Sequence, residues 1–161
     1  MTVEPTALVE EIDGQILPTA AMAELLHAMQ LRRFGGGAGI RDRELLASAI
    51  SRGSAILSWS DHPDTVEAAC AMGEGVIRNH PFIDGNKRTG FAVITSTLYA
   101  NGIRFDMEPT AAAQLVVDFA AGRVTSDAFR ATIRDHSSPD PTWAEIERLS
   151  DEESPDMSPG F

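Results

Sequence analysis

The 161-residue chain is 43% hydrophobic and carries a formal net charge of −11, which suits one buried core and leaves too little length for two. Cys70 is its only cysteine, so an internal disulfide and a four-cysteine zinc site are excluded, as fits a reducing compartment. The acidic balance works against a nucleic-acid phosphate backbone, whose affinity for proteins comes from Lys and Arg displacing counterions.

No apolar run reaches the roughly 20 residues that cross a bilayer, and Met1-Thr2-Val3-Glu4 lacks the basic start of a signal peptide. The expectation is a cytoplasmic protein with no direct nucleic-acid or membrane partner. Met22, Leu25, Leu26 and Met29 fall at helical spacing after a Thr19 cap, and that helix should end near Phe34. Gly35-Gly36-Gly37-Ala38-Gly39 cannot hold a helix; without the Lys-Ser/Thr ending of a P-loop it reads as a linker. Asp42 resembles an N-cap for a helix carrying Leu45, Leu46, Ala49 and Ile50, ending near Gly53. Ser54 to Pro63 has no clean period and reads as an irregular excursion.

Asp64 caps the next expected helix, which runs through Val66, Ala69, Cys70, Gly73, Val76 and Ile77 to Asn79, where Pro81 stops it. A turn at Asp84-Gly85-Asn86 leads into a segment from Lys87 to Asn101 that is apolar nearly all round and so belongs in the middle of the domain. Gly102 lies where a C-terminal cap glycine is expected. Two more helices follow, one after Pro109 and one after a Ser126 cap. The domain should span residues 1–136, and the acid-rich residues 137–161 should form a disordered tail.

His80 to Thr89 places polar residues at the start of the most apolar helix. Lys87 and Arg88 are electrostatically misplaced there, because the N-terminus of a helix already carries ~0.5 of a positive charge and free N–H groups. A bound anion resolves the conflict: N–H groups, Lys87 and Arg88 would together cradle phosphates. In that setting Asp84 suits Mg2+, Gly85 lets the backbone come close, and His80 supplies imidazole, the side-chain type whose reference pKa of about 6.5 suits a general base. Phe82 reads as an anchor of the loop. The same residues also make an ordinary turn with Asn86 as N-cap and His80 as a polar helix end, and spacing alone does not separate the two readings. His27, His62 and His136 read as unspecific surface or turn residues.

His80 to Arg88 resembles the Fic motif, His-Pro-Phe-x-Asp/Glu-Gly-Asn-Gly/Lys-Arg, at every fixed position. With Gly39-Ile40-Arg41-Asp42, Leu45-Leu46 and Asn101-Gly102, the likeness covers most of the expected domain, and Lys87-Arg88-Thr89 is similar to the Doc branch. The resemblance implies a single all-α Fic/Doc domain of about six helices, with a short flap near Ser54–Asp61 that aligns a target chain by strand addition. It implies His80 as general base on a target hydroxyl, Asp84 as the Mg2+ ligand, and Gly85, Asn86, Lys87 and Arg88 as phosphate contacts for ATP. Lys87 in place of glycine implies a Doc-like toxin: a protein kinase acting on elongation factor Tu and blocking translation. The alternatives are AMP transfer to a Ser, Thr or Tyr hydroxyl, with which Gly85 agrees, and an inactive interaction module. Some Fic proteins carry an internal brake, Ser/Thr-x-x-x-Glu-Gly/Asn. Glu74-Gly75 has Cys70 where the hydroxyl residue belongs, which points to a separate antitoxin, with Glu145 or Glu152 as rival brakes.

Overall fold

Short-range capping sets where the helices begin. In the structure, a computed structural model that describes residues 7–152, side-chain oxygens of Thr19, Asp42 and Asp64 accept N–H groups at the starts of α1 (Ala20–Phe34), α2 (Arg43–Trp59) and α3 (Thr65–Asn79). Glu108 and Thr125 do the same for α5 (Pro109–Ala120) and α6 (Ser126–Asp135). Ser126, the expected cap, instead donates its hydroxyl to Glu74. With α4 (Asn86–Ala100) and α7 (Pro141–Glu152) the described residues hold seven helices, and the all-α class stands. Residues 1–6 and 153–161, which include the Met1–Glu4 start and acids of the expected tail, lie outside the described residues.

Three further departures from the sequence reading concern whole segments. First, α2 does not stop near Gly53: Ser51 and Ser54 hydroxyls bond back to carbonyls three residues earlier, at 3.0 Å each, so their polarity is satisfied inside the helix. Gly53 is a contact glycine, since a Cβ there would come 2.6 Å from Met72 Sδ. The expected flap over Ser54–Asp61 is therefore helix as far as Trp59, and no strand lies between α2 and α3 among the described residues.

Second, the expected disordered tail begins with a strand, β4 (Ser137–Pro139), paired antiparallel with β3 (Ile103–Phe105), and continues as α7. Trp143 fixes it: a Cβ on Gly102 would lie 3.3 Å from Trp143, whose ring meets Tyr99 at 6.2 Å between centroids. One half-buried tryptophan seated on a glycine and an aromatic ring outweighs an acidic composition. Third, the described residues open with an unforeseen hairpin, β1 (Val9–Ile12) against β2 (Gln15–Pro18). Its turn residues Asp13 and Gly14 have φ of 50° and 77°, the backbone a two-residue hairpin turn requires. Asn101 clamps β2 from the far end of α4, exchanging two bonds with the backbone of Ile16 at 2.8 and 2.7 Å.

The middle position belongs to α3 rather than α4. Its residues from Val66 to Ile77 are buried apart from Glu67, whereas α4 leaves Tyr99 exposed. One face of α3 gives Ala68, Met72 and Val76 to a core shared with the hairpin, α1 and α2, and the other gives Val66, Ala69, Cys70 and Ile77 to a core closed by α5 and α6. Burial pushes the Cys70 thiol up to about 12, so it is packing rather than a nucleophile. Backbones of α3 and α4 touch: a Cβ on Gly90 would sit 2.7 Å from the Gly73 carbonyl oxygen, and one on Gly73 would sit 2.6 Å from that of Gly90. A backbone atom cannot swing away. Gly90→Ala is therefore expected to cost ~1–3 kcal/mol or more, read as a lower urea midpoint, while Gly14→Ala meets no atom within 4 Å and pays only for its φ of 77°.

Candidate active site

The loop from His80 to Gly85 joins the two helices that share both cores, so its ends are fixed before any side chain is considered. His80 ends α3 in the left-handed region, φ 49° and ψ 56°, an uncommon state for a residue other than glycine. Arg41 holds it there, donating to the carbonyls of Asn79 at 2.8 Å and His80 at 2.7 Å, a favourable place for a cation at a helix C-terminus. The backbone beside Arg41 runs along the loop: Arg41 and Asp42 N–H donate to the Pro81 carbonyl, and Ile83 N–H donates to that of Gly39.

Phe82 is 1% exposed and anchors the loop as expected. Asn86 turns its side chain back into the loop. Its side-chain oxygen accepts the Phe82 N–H and its amide donates to the Phe82 carbonyl, both at 2.9 Å and buried, so the side chain closes the loop and only its backbone N–H is left for a phosphate.

At the start of α4, Gly85 is the N-cap at φ 77°, and no side chain caps the helix. Each of the other helices has a side-chain oxygen at this place, α7 through Asp140. The first α4 turn thus keeps open N–H groups, and it carries Lys87 and Arg88, a combination that suits an anion. Asp84 accepts from the Gly85 N–H at 2.7 Å and the Gly37 N–H at 3.2 Å. These two bonds, then the charges of Arg88 and Lys87, hold its carboxyl below the usual carboxylate range, so it is ionised at neutral pH.

A cavity of about 330 Å³ is lined by His80, Ile83, Asp84, Gly85, Asn86, Lys87 and Arg88, so every site residue expected from sequence converges on one space. A second, apolar cleft of about 370 Å³ opens beside Lys87 and Arg88 between Phe91, Phe105 and Val116. A basic side chain at the rim, two cations and open N–H groups can bind a multiply charged anion and take a proton beside it. For a cation, Asp84 is the single carboxylate: among the described residues no group of three or more His, Cys, Asp or Glu converges. That donor set fits Mg2+, which uses one or two carboxylates and completes its shell with phosphate and water.

Three contributors were missed by sequence reasoning. The Gly35–Gly39 segment is a wall of the site and no mere linker: the Gly35 carbonyl accepts from Arg88 at 3.0 Å, and a Cβ on Gly36 would come 2.6 Å from the Asp84 carboxylate. Arg41 pins His80. His27, expected on a helix face, is 5% exposed and bonds to the loop from below. Glu74 pairs with Arg130, away from Arg88, and Glu145 pairs with Arg148. α7 docks by Trp143 at Gly102, the opposite end of α4 from Arg88, roughly 20 Å along a helix of that length; the Glu152 side chain lies outside the described residues.

The family model described as Fic/DOC family matches residues 17–98, just over half of the chain. The chain is 35% identical over 91 residues to Toxin Doc of Mycolicibacterium smegmatis, covering 56% of this chain and 62% of that protein. It is 28% identical over 109 residues to Protein kinase doc of Escherichia phage P1, covering 68% of this chain and 86% of that protein. The match to the first relative thus spans less than two thirds of its length. The matched span contains the caps of the first helices, the glycine segment and the whole His80–Arg88 loop, and the chain belongs to the Fic/Doc family.

Proposed function

We propose that the chain is a Doc-type toxin, a cytoplasmic protein kinase that transfers the terminal phosphate of ATP to a hydroxyl of a target protein, elongation factor Tu, and so blocks translation. The observation that carries this reading is the shared cavity of His80, Lys87, Arg88 and the uncapped start of α4, with lysine at the position where AMP-transferring Fic enzymes usually have glycine. The relatives named Toxin Doc and Protein kinase doc agree with it. His80 takes the proton of the target hydroxyl as that oxygen bonds to the terminal phosphorus. The bond from that phosphorus to its bridging oxygen breaks, and ADP leaves with its charge held by Lys87, Arg88 and the open N–H groups. Asp84 would hold Mg2+, which supplies charge neutralisation of the phosphates when bound.

Transfer of AMP is the second reading, favoured by Gly85 and by the apolar cleft that adjoins Lys87 and Arg88. Incubating the pure protein with a target lysate and ATP labelled separately at the α and γ phosphates separates the two. Label from the γ position on a protein band is expected. Label from the α position replaces the kinase with AMP transfer, and no label from either leaves an interaction module. Since neither Glu74 nor Glu145 pairs with Arg88, restraint by a separate antitoxin protein belongs to the same proposal.

A further inference from the structure

The geometry points to His27 as a positioning residue that locks the Asp84–Gly85 peptide in the orientation a phosphate site needs, an inference that rests on the phosphate-binding reading above. His27 lies on α1, far from the loop in sequence, and its Nε2 is 2.8 Å from the Asp84 carbonyl oxygen. A carbonyl only accepts, so Nε2 carries the hydrogen. The same ring stacks on Phe82 with centroids 3.9 Å apart and planes 7° from parallel. A Cβ on Gly85 would stand 3.6 Å from His27 Cδ2. One buried ring therefore touches the loop at Phe82 and Asp84 and lies beside Gly85.

In a trans peptide the C=O and N–H point in opposite directions. With the Asp84 carbonyl drawn inward to His27, the Gly85 N–H faces outward, where it donates to Asp84 Oδ1 at 2.7 Å. Rotating this peptide by half a turn would exchange the two, presenting a carbonyl oxygen to the carboxylate and to the incoming phosphate. Local backbone sterics do not oppose that rotation, because residue 85 is glycine, which takes positive and negative φ about equally. A residue with a Cβ would strain the native φ of 77°. The lock has to come from outside the loop, and the Nε2–H supplies it. As a core filler the ring would need only its face against Phe82; the hydrogen bond to the Asp84 carbonyl is what a leucine or phenylalanine could not give.

The test reads the free protein and its affinity for ADP as a phosphate probe. In His27→Phe, which keeps an aromatic face and removes the donor, the Gly85 amide resonance should shift or broaden in 15N spectra. ADP affinity by calorimetry should fall about tenfold, a change of ~1.4 kcal/mol. His27→Gln, whose side-chain amide can donate to the same carbonyl, should restore the Gly85 resonance and most of the affinity. Phe129→Leu, in the distant core, should lower stability and move neither. An unshifted Gly85 resonance in His27→Phe overturns the positioning role, as does a His27→Gln variant that folds but recovers nothing. Should His27→Phe fail to fold, His27→Gln alone decides, a native Gly85 resonance supporting the role and an altered one overturning it. Wild-type protein that binds no ADP sinks the phosphate reading itself, and the Gly85 resonance still reports on the peptide.

Discussion

Replacing His80 by glycine is expected to cut the proposed transfer by ~10²- to 10⁴-fold, the usual contribution of a general base, without unfolding the protein. Two opposing terms set the stability. The native left-handed backbone of His80 costs a residue with a Cβ ~1–2 kcal/mol, which glycine escapes. Glycine in turn loses ~0.5–1 kcal/mol more to backbone ordering. The two nearly cancel, so the melting temperature should stay within a few degrees of the native value. The Arg41 bond is retained, because it goes to the main-chain carbonyl of residue 80, and the exposed ring leaves no hole in the core. Transfer of γ label and thermal unfolding are measured on the same preparation. Unchanged transfer would remove His80 from the chemistry. Lost transfer with a collapsed melting temperature would instead place the strain at His80 within the fold. The expected pairing, lost activity at constant stability, marks a conformation kept for function.

What the sequence showed and what it hid divide by range. Thr19, Asp42 and Asp64 act on N–H groups within three residues, so helix starts were readable one window at a time. The His80–Arg88 loop was readable because its chemistry is contiguous and its pattern is specific to a family. By contrast, Gly37 reaches Asp84 across 47 positions, Arg41 reaches the His80 carbonyl across 39, and His27 reaches the Asp84 carbonyl across 57. No periodicity carries such pairs. The Asn86 side chain was unreadable for a related reason: an amide at a helix start can face a ligand or its own loop, and only the placement of Phe82 decides. The hairpin was within reach, since Asp13-Gly14 between Ile12 and Ile16 is a turn signal, but strands of four residues are too short to show alternation. Trp143 was discounted among acids because composition averages over a segment, whereas docking depends on one side chain meeting one glycine.

The seam between α3 and α6 carries the largest expected loss of stability. Glu74 is 3% exposed and is held by Arg130 through two bonds of 2.8 Å, one to each carboxylate oxygen, with Ser126 adding a third at 3.2 Å. Arg130 also pairs with Glu67. The Glu74 carboxylate drives the Arg130 guanidinium upward from its ordinary pKa, against the opposing effect of burial, so the guanidinium stays charged at any working pH. Arg130→Ala strips the charge partner from a buried carboxylate, leaving Ser126 as its remaining donor, and should cost ~3–5 kcal/mol by urea unfolding. Arg134 lies one turn further along and bridges Asp64, yet the side chains are 48% and 36% exposed. Water already screens that pair, and Arg134→Ala should cost under ~1 kcal/mol. Converting Glu74 and Arg130 together to leucine and methionine should recover most of the loss, because the penalty lies in the unpaired charge rather than in the missing bridge. Equal losses in the two single variants would show that Glu74 is hydrated in solution, and the account of a dry seam would fall with that result.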